Sequence, residues 1–74
     1  MILIPGIEAT EDVLCGKPRI AGTRIAVEFI LEQLGAGASL TSLQAQYQIS
    51  DDQMLAVFRY AAGALGSDVI REVG

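Results

Sequence analysis

The chain has no histidine, one cysteine, two prolines and only five lysines and arginines among its 74 residues. Each shortage excludes something. Without histidine, and with Cys15 alone, a metal site would need clustered carboxylates. Asp51 and Asp52, adjacent at a helix start, do not face the same way, and Glu28 and Glu32 read as a solvated helix face. Cys15 has no histidine to activate it and is expected as a small buried hydrophobe. A single cysteine also rules out an internal disulfide framework and fits a reducing compartment. Five cations against nine acids leave a formal charge of −4, which opposes general adhesion to nucleic acid or anionic membrane. No apolar run approaches the ~18 residues of a membrane span, and Met1-Ile2-Leu3-Ile4 stops at Pro5 without a charged leader. Neither a signal peptide nor a transmembrane helix is expected, and the implied compartment is the cytoplasm. Nothing here makes a case for an enzyme, a cofactor, a metal or a small-molecule substrate.

What is present is apolar: 51% of the residues are hydrophobic and only 19% are charged. A chain this short buries only about 60% of its unfolded surface. Some of that apolar surface is therefore expected to meet a partner, first of all a second copy in a homodimer. No repeat or linker divides the sequence, so residues 1–74 read as one domain with a strand and hairpin segment, 1–27, and a helical segment, 28–74.

Ile2 to Ile4 is a β-branched run ended by Pro5-Gly6, and Glu8 to Leu14 reads as an acidic connector. Lys17 to Ile20 and Thr23 to Val27 then predict a β-hairpin around Ala21-Gly22. Gly22 supplies the left-handed residue, in a type II turn or a type I turn with a glycine bulge. Glu28 to Leu34 predicts a first helix with Phe29, Ile30 and Leu34 buried and Gly37 as its left-handed cap. Ser39 caps a second helix, Leu40 to about Gln46, with Leu40 and Leu43 as its apolar stripe, extended by Tyr47. Ser50 and Gln53 form a capping-box pattern, with Ile49 and Met54 placed as a hydrophobic staple. A third helix, Asp51 to about Leu65, follows, with Met54, Phe58, Ala61 and Leu65 as its stripe. Ser67 would cap a last turn, Asp68 to Glu72. The fold class is mainly α: an N-terminal β-hairpin, then three helices whose last two have helix-turn-helix spacing.

The segment Gly16-Lys17-Pro18-Arg19-Ile20-Ala21-Gly22-Thr23-Arg24-Ile25 gathers three of the five cations in an acidic chain. With Ile20 and Thr23 flanking a two-residue loop, Arg19 faces Arg24 and Pro18 faces Ile25. Lys17, Arg19 and Arg24 then share one face of the hairpin. Like charges opposite one another destabilise a hairpin. Either Glu8, Glu11 or Asp12 folds back as an ion pair, or an external anion binds there. A nucleotide phosphate loop is excluded, because five residues separate Gly16 from Gly22, no lysine precedes Thr23, and Pro18 lacks an amide donor.

The same residues carry a resemblance. Cys15-Gly16-Lys17-Pro18-Arg19-Ile20 with Gly22-Thr23-Arg24-Ile25 resembles the signature of the bacterial family called domain of unknown function 433. The likeness runs from about Ile7 to Ala62, through Ala36-Gly37-Ala38-Ser39, Tyr47-Gln48-Ile49-Ser50 and Tyr60-Ala61-Ala62. It implies a homeodomain-like helix-turn-helix fold and the role of an antitoxin beside a PIN-like ribonuclease. Three departures stand out. The family often has a second glycine before the lysine, where only Gly16 is present. It often has proline after the isoleucine, where this chain has Ala26. It commonly has Tyr-Pro after the second helix, where this chain has Tyr47-Gln48.

The residues at the start of the third helix, where such a motif reads bases, are Asp51, Asp52 and Gln53, with Ala56, Arg59, Tyr60 and Gly63 continuing the exposed face. Two carboxylates there suit the helix dipole better than a phosphate field. Three readings follow. The first is a homodimeric antitoxin that neutralises a PIN-like nuclease, with Lys17, Arg19 and Arg24 binding the partner or an anion. The second is a regulator that binds operator DNA of its own operon through Arg19, Arg24 and Arg59. The third is a dimerisation scaffold with neither role.

Overall fold

The computed structural model describes residues 1–65; the turn expected from Ser67 to Glu72 lies outside them. Three short strands come first: β1 (Ile2–Ile4), β2 (Ile7–Glu8) and β3 (Arg19–Ile20). They form an antiparallel sheet in the order β1-β2-β3, with Ile2 opposite Glu8, Ile7 opposite Ile20, and Glu8 opposite Arg19. Pro5-Gly6 turns β1 into β2, and Gly6 takes φ 92, the left-handed value that a type II turn requires at its third residue. A Cβ at Gly6 would stand 2.9 Å from that of Ala56, so glycine also permits the close approach of a helix. Glu8, expected in an acidic connector, ends the central strand instead.

Three helices follow: α1 (Val27–Gly35), α2 (Leu40–Tyr47) and α3 (Asp51–Leu65). Their ends are set by local hydrogen bonds. α1 closes with Gly37 at φ 106, and the amides of Gly37 and Ala38 donate to the carbonyls of Leu34 and Gln33, the pattern of a Schellman cap. The Ser39 hydroxyl accepts from the Ser42 amide at 3.0 Å and starts α2. The capping box forms in both directions: the Gln53 amide donates to Ser50 Oγ at 3.1 Å and the Ser50 amide to Gln53 Oε1 at 2.7 Å. Gln44 braces the turn between α2 and α3, its Nε2 donating to the Ile49 carbonyl at 3.1 Å and to Asp51 Oδ1 at 2.8 Å. Gln48 holds φ 57, a conformation that a proline ring cannot reach. Glutamine here therefore builds a left-handed cap that the family's Tyr-Pro pair would not. Ala26, by contrast, has φ −72, where proline also sits.

One core unites the two segments: Ile7, Ile20, Val27, Ile30, Leu43, Ile49, Met54, Ala56 and Val57 are all buried. Full burial of each large aliphatic side chain contributes roughly 1.5–3 kcal/mol. α3 packs against β2 and β3. Met54 is buried and Ala61 half-buried as expected, but that docking rotates the rest of the buried face relative to the expected stripe. Ala56 and Val57 are buried, whereas Phe58 and Leu65 stand exposed. The small Ala56 side chain admits the Gly6 turn, which a larger residue would hold off. In α1, Ile30 is buried as expected, with Phe29 and Leu34 half-buried, and Val27 joins the core from the helix rather than from a strand. Leu40 is exposed, leaving Leu43 to anchor α2.

Candidate functional site

Two loops place the cations of the Lys17–Arg24 segment. Between β2 and β3 the chain makes a one-turn left-handed coil: Leu14, Cys15 and Gly16 have φ 53, 56 and 82. The amides of Gly16 and Lys17 donate to the carbonyls of Val13 and Leu14 and close it. Glycine takes this conformation freely, but leucine and cysteine carry about 1–2 kcal/mol of backbone strain each. A second glycine before the lysine, which the family resemblance implies, would relieve this strain at Cys15. Cys15 is exposed, not buried as expected, because this coil stands off the core.

The second loop differs from the expected hairpin by two residues. The Ile20 amide donates to the Ile25 carbonyl at 2.9 Å, the Val27 amide donates to the Pro18 carbonyl at 3.0 Å, and Arg19 opposes Ala26. Ala21 to Arg24 form the loop, and Thr23 to Val27 is not a strand. Gly22 has φ 78 and the Thr23 amide donates to the Ile20 carbonyl, so the left-handed turn forms where expected. Thr23 widens the loop, its Oγ donating to the Ile20 carbonyl at 2.7 Å and accepting from the Ile25 amide at 3.0 Å. This register keeps Arg19 from facing Arg24 and pairs it instead with Glu8 across β2 and β3, exchanging a like-charge opposition for an ion pair.

The three cations consequently do not form one patch. Arg19 is 8% exposed. Its Nη1 donates to Glu8 Oε2 at 3.0 Å and its Nη2 to Thr10 Oγ1 at 3.1 Å, while Nε is buried without a partner. The same Glu8 oxygen accepts from the Gly22 amide at 3.0 Å and so fixes the loop. Lys17 pairs with Glu28 on the surface, and the hydrogen bond to that carboxylate, then its charge, raises the lysine pKa above the ordinary 10.5. Only Arg24 is exposed and, among the described residues, makes no ion pair. Arg59 on α3 is likewise exposed and unpaired there. Asp51 receives the Gln44 amide, which supports its reading as part of the helix start.

Pattern reading missed the surroundings of Arg24. Arg24 lines an open hollow of about 330 Å³ together with Leu14, Ile25, Ala26, Phe29 and Tyr47. Phe29 and Tyr47 meet edge to face with centroids 5.4 Å apart, joining α1 to α2. A second hollow of similar volume lies between α1 and the end of α3, around Pro18, Leu31, Tyr60 and Leu65, with Lys17 and Glu28 beside it.

No helix of the described residues is long and apolar enough to cross a membrane. Neither the curated proteins nor the solved structures give a match to this chain. A family model described as "Protein of unknown function (DUF433)" matches residues 7–61, which include the whole Lys17–Arg24 segment, both left-handed loops and all but the end of α3. The chain belongs to the DUF433 family.

Proposed function

We propose that this protein acts by binding another protein: it is a homodimeric antitoxin that holds a PIN-like ribonuclease inactive in the cytoplasm. The observation that carries this reading is apolar surface on an acidic chain. Leu31, Leu55, Phe58 and Leu65 are exposed, and the formal charge is −4. Exposed apolar side chains supply affinity for a protein partner, and carboxylates complement the cations with which a nuclease cleft holds RNA. The family likeness supplies the kind of partner. The test is co-expression with the product of the adjacent gene. The expected outcome is a stable complex in which RNA cleavage is lost, and a dimer by light scattering when the protein is alone. An adjacent product that is no nuclease, or one that cleaves equally well in its presence, overturns the reading.

A second reading rests on the α2-turn-α3 connection, whose spacing is that of a DNA-reading motif. Arg19 is buried, so Arg24 and Arg59 are the exposed cations left to it. Absence of a gel shift on the operon's own promoter at low salt, with and without the partner, removes this reading.

A further inference from the structure

The hollow beside Arg24 has features that the antitoxin reading leaves unused. Its walls are aliphatic and aromatic, and it is a shallow depression open to solvent, which can receive one large apolar side chain. Ile25, Ala26 and Phe29 come from the loop and α1, and Tyr47 from the end of α2, so the floor is set by packed elements. Leu14 contributes to the wall from a left-handed backbone, and strain of this kind collects at binding sites. At the rim stands Arg24. Acids outnumber bases nine to five in this chain, and the other two cations of the segment have each taken a carboxylate. Arg24 is exposed and without one among the described residues.

The geometry points to a binding site for a polypeptide segment that presents a large apolar side chain next to a carboxylate: the side chain fills the hollow between Leu14, Phe29 and Tyr47, and Arg24 holds the carboxylate. A guanidinium meets a carboxylate through two parallel hydrogen bonds, which fixes direction as well as charge. A protein segment is favoured over RNA or DNA because a single arginine on a chain of net charge −4 cannot offset a polyanion. This inference deepens the proposed function, since it names the part of a protein partner that the Arg24 loop would receive. Its test needs no nuclease.

The probe is N-acetyl-leucine, which combines an isobutyl group with a carboxylate, titrated into the ¹⁵N-labelled full chain; N-acetyl-leucinamide is its uncharged counterpart. The expected result is a saturable shift of the Ile25, Ala26, Phe29 and Tyr47 amides in about the millimolar range, as befits a ligand with so few atoms. The amide counterpart binds about fivefold more weakly, the share of one exposed charge pair. Arg24→Gln, at an exposed position, keeps the folded spectrum and removes the preference for the acid. Shifts that do not saturate, equal affinity for the two probes, an unchanged preference in Arg24→Gln, or tighter binding of uridine monophosphate would each overturn the inference. The comparison between the two probes stands even where the variant misfolds. A probe that binds as expected while the adjacent gene product does not bind defeats only the antitoxin reading. A nuclease complex indifferent to Arg24→Gln, together with silent probes, defeats only this one.

Discussion

The helical segment and the strand-loop segment are held by different kinds of contact. In the helices, the decisive hydrogen bonds join residues three to five apart: Ser39 with Ser42, Ser50 with Gln53, Gln44 with Ile49. In the first 26 residues the decisive contacts are distant in sequence. Glu8 reaches Arg19, 11 residues on, and Gly22, 14 residues on. The strained left-handed coil of Leu14 and Cys15 also lies in this segment, with no side-chain hydrogen bond to its own backbone at its start. Helices capped locally keep their ends wherever they dock. The loops of the first segment also have local bonds, but the Gly22 turn and Arg19 are tied in addition to Glu8 across the sheet.

The sharpest way to break this contrast is to remove the distant pair. Arg19→Ala leaves Glu8 without its cation and is expected to destabilise the fold by about 3 kcal/mol, as breaking a largely buried pair does. Urea unfolding measures it. Glu8→Ala is expected to fall in the same range, and the double variant to be less destabilised than the sum. A loss below that of an ordinary surface substitution would erase the distinction between the segments.

The local side of the comparison predicts less. Ser50→Ala removes one direction of the capping box and is expected to cost about 1 kcal/mol. By amide hydrogen exchange the loss of protection is expected to centre on the first turn of α3, with β2 and β3 little changed.

The smallest effect belongs to the surface pair. The Lys17 pKa is raised by its hydrogen bond to Glu28, so the pair contributes below the ordinary lysine value of 10.5 and the contribution is lost as pH rises through the higher folded value. The difference in urea midpoint between the wild type and Lys17→Gln is expected to be small and constant from neutral pH upward and to vanish above that value. A difference that grew with pH would reverse the sign.

The same contrast explains what the sequence revealed. The ends of α2 and α3, the Ser39 cap, the Gly37 cap and the Ser50–Gln53 box were legible because each is written in a few adjacent residues. The first segment was less so. Its left-handed Gly22 could be read from the turn, and Glu8 was among the candidates for an ion pair. The two-residue slip that places Arg24 in the loop could not, because it depends on Thr23 bridging Ile20 to Ile25 and on Glu8 waiting across the sheet. The stripe of α3 was legible at Met54 but not at Phe58 and Leu65, for a related reason. Periodicity fits several neighbouring faces, and the choice fell to the Gly6 turn resting on Ala56. The hollow at Arg24 draws on residues from Leu14 to Tyr47, a combination that no short motif encodes.

The Glu8 carboxylate has a genetic consequence. One oxygen grips both the hidden Arg19 guanidinium and the Gly22 amide, two positions before Arg24. Changes at Glu8 or Arg19 will therefore disturb the placement of Arg24 without touching any ligand. A screen for lost activity will score those two residues alongside true contact residues, and only an accompanying measurement of folding will separate the hinge pin from the hand.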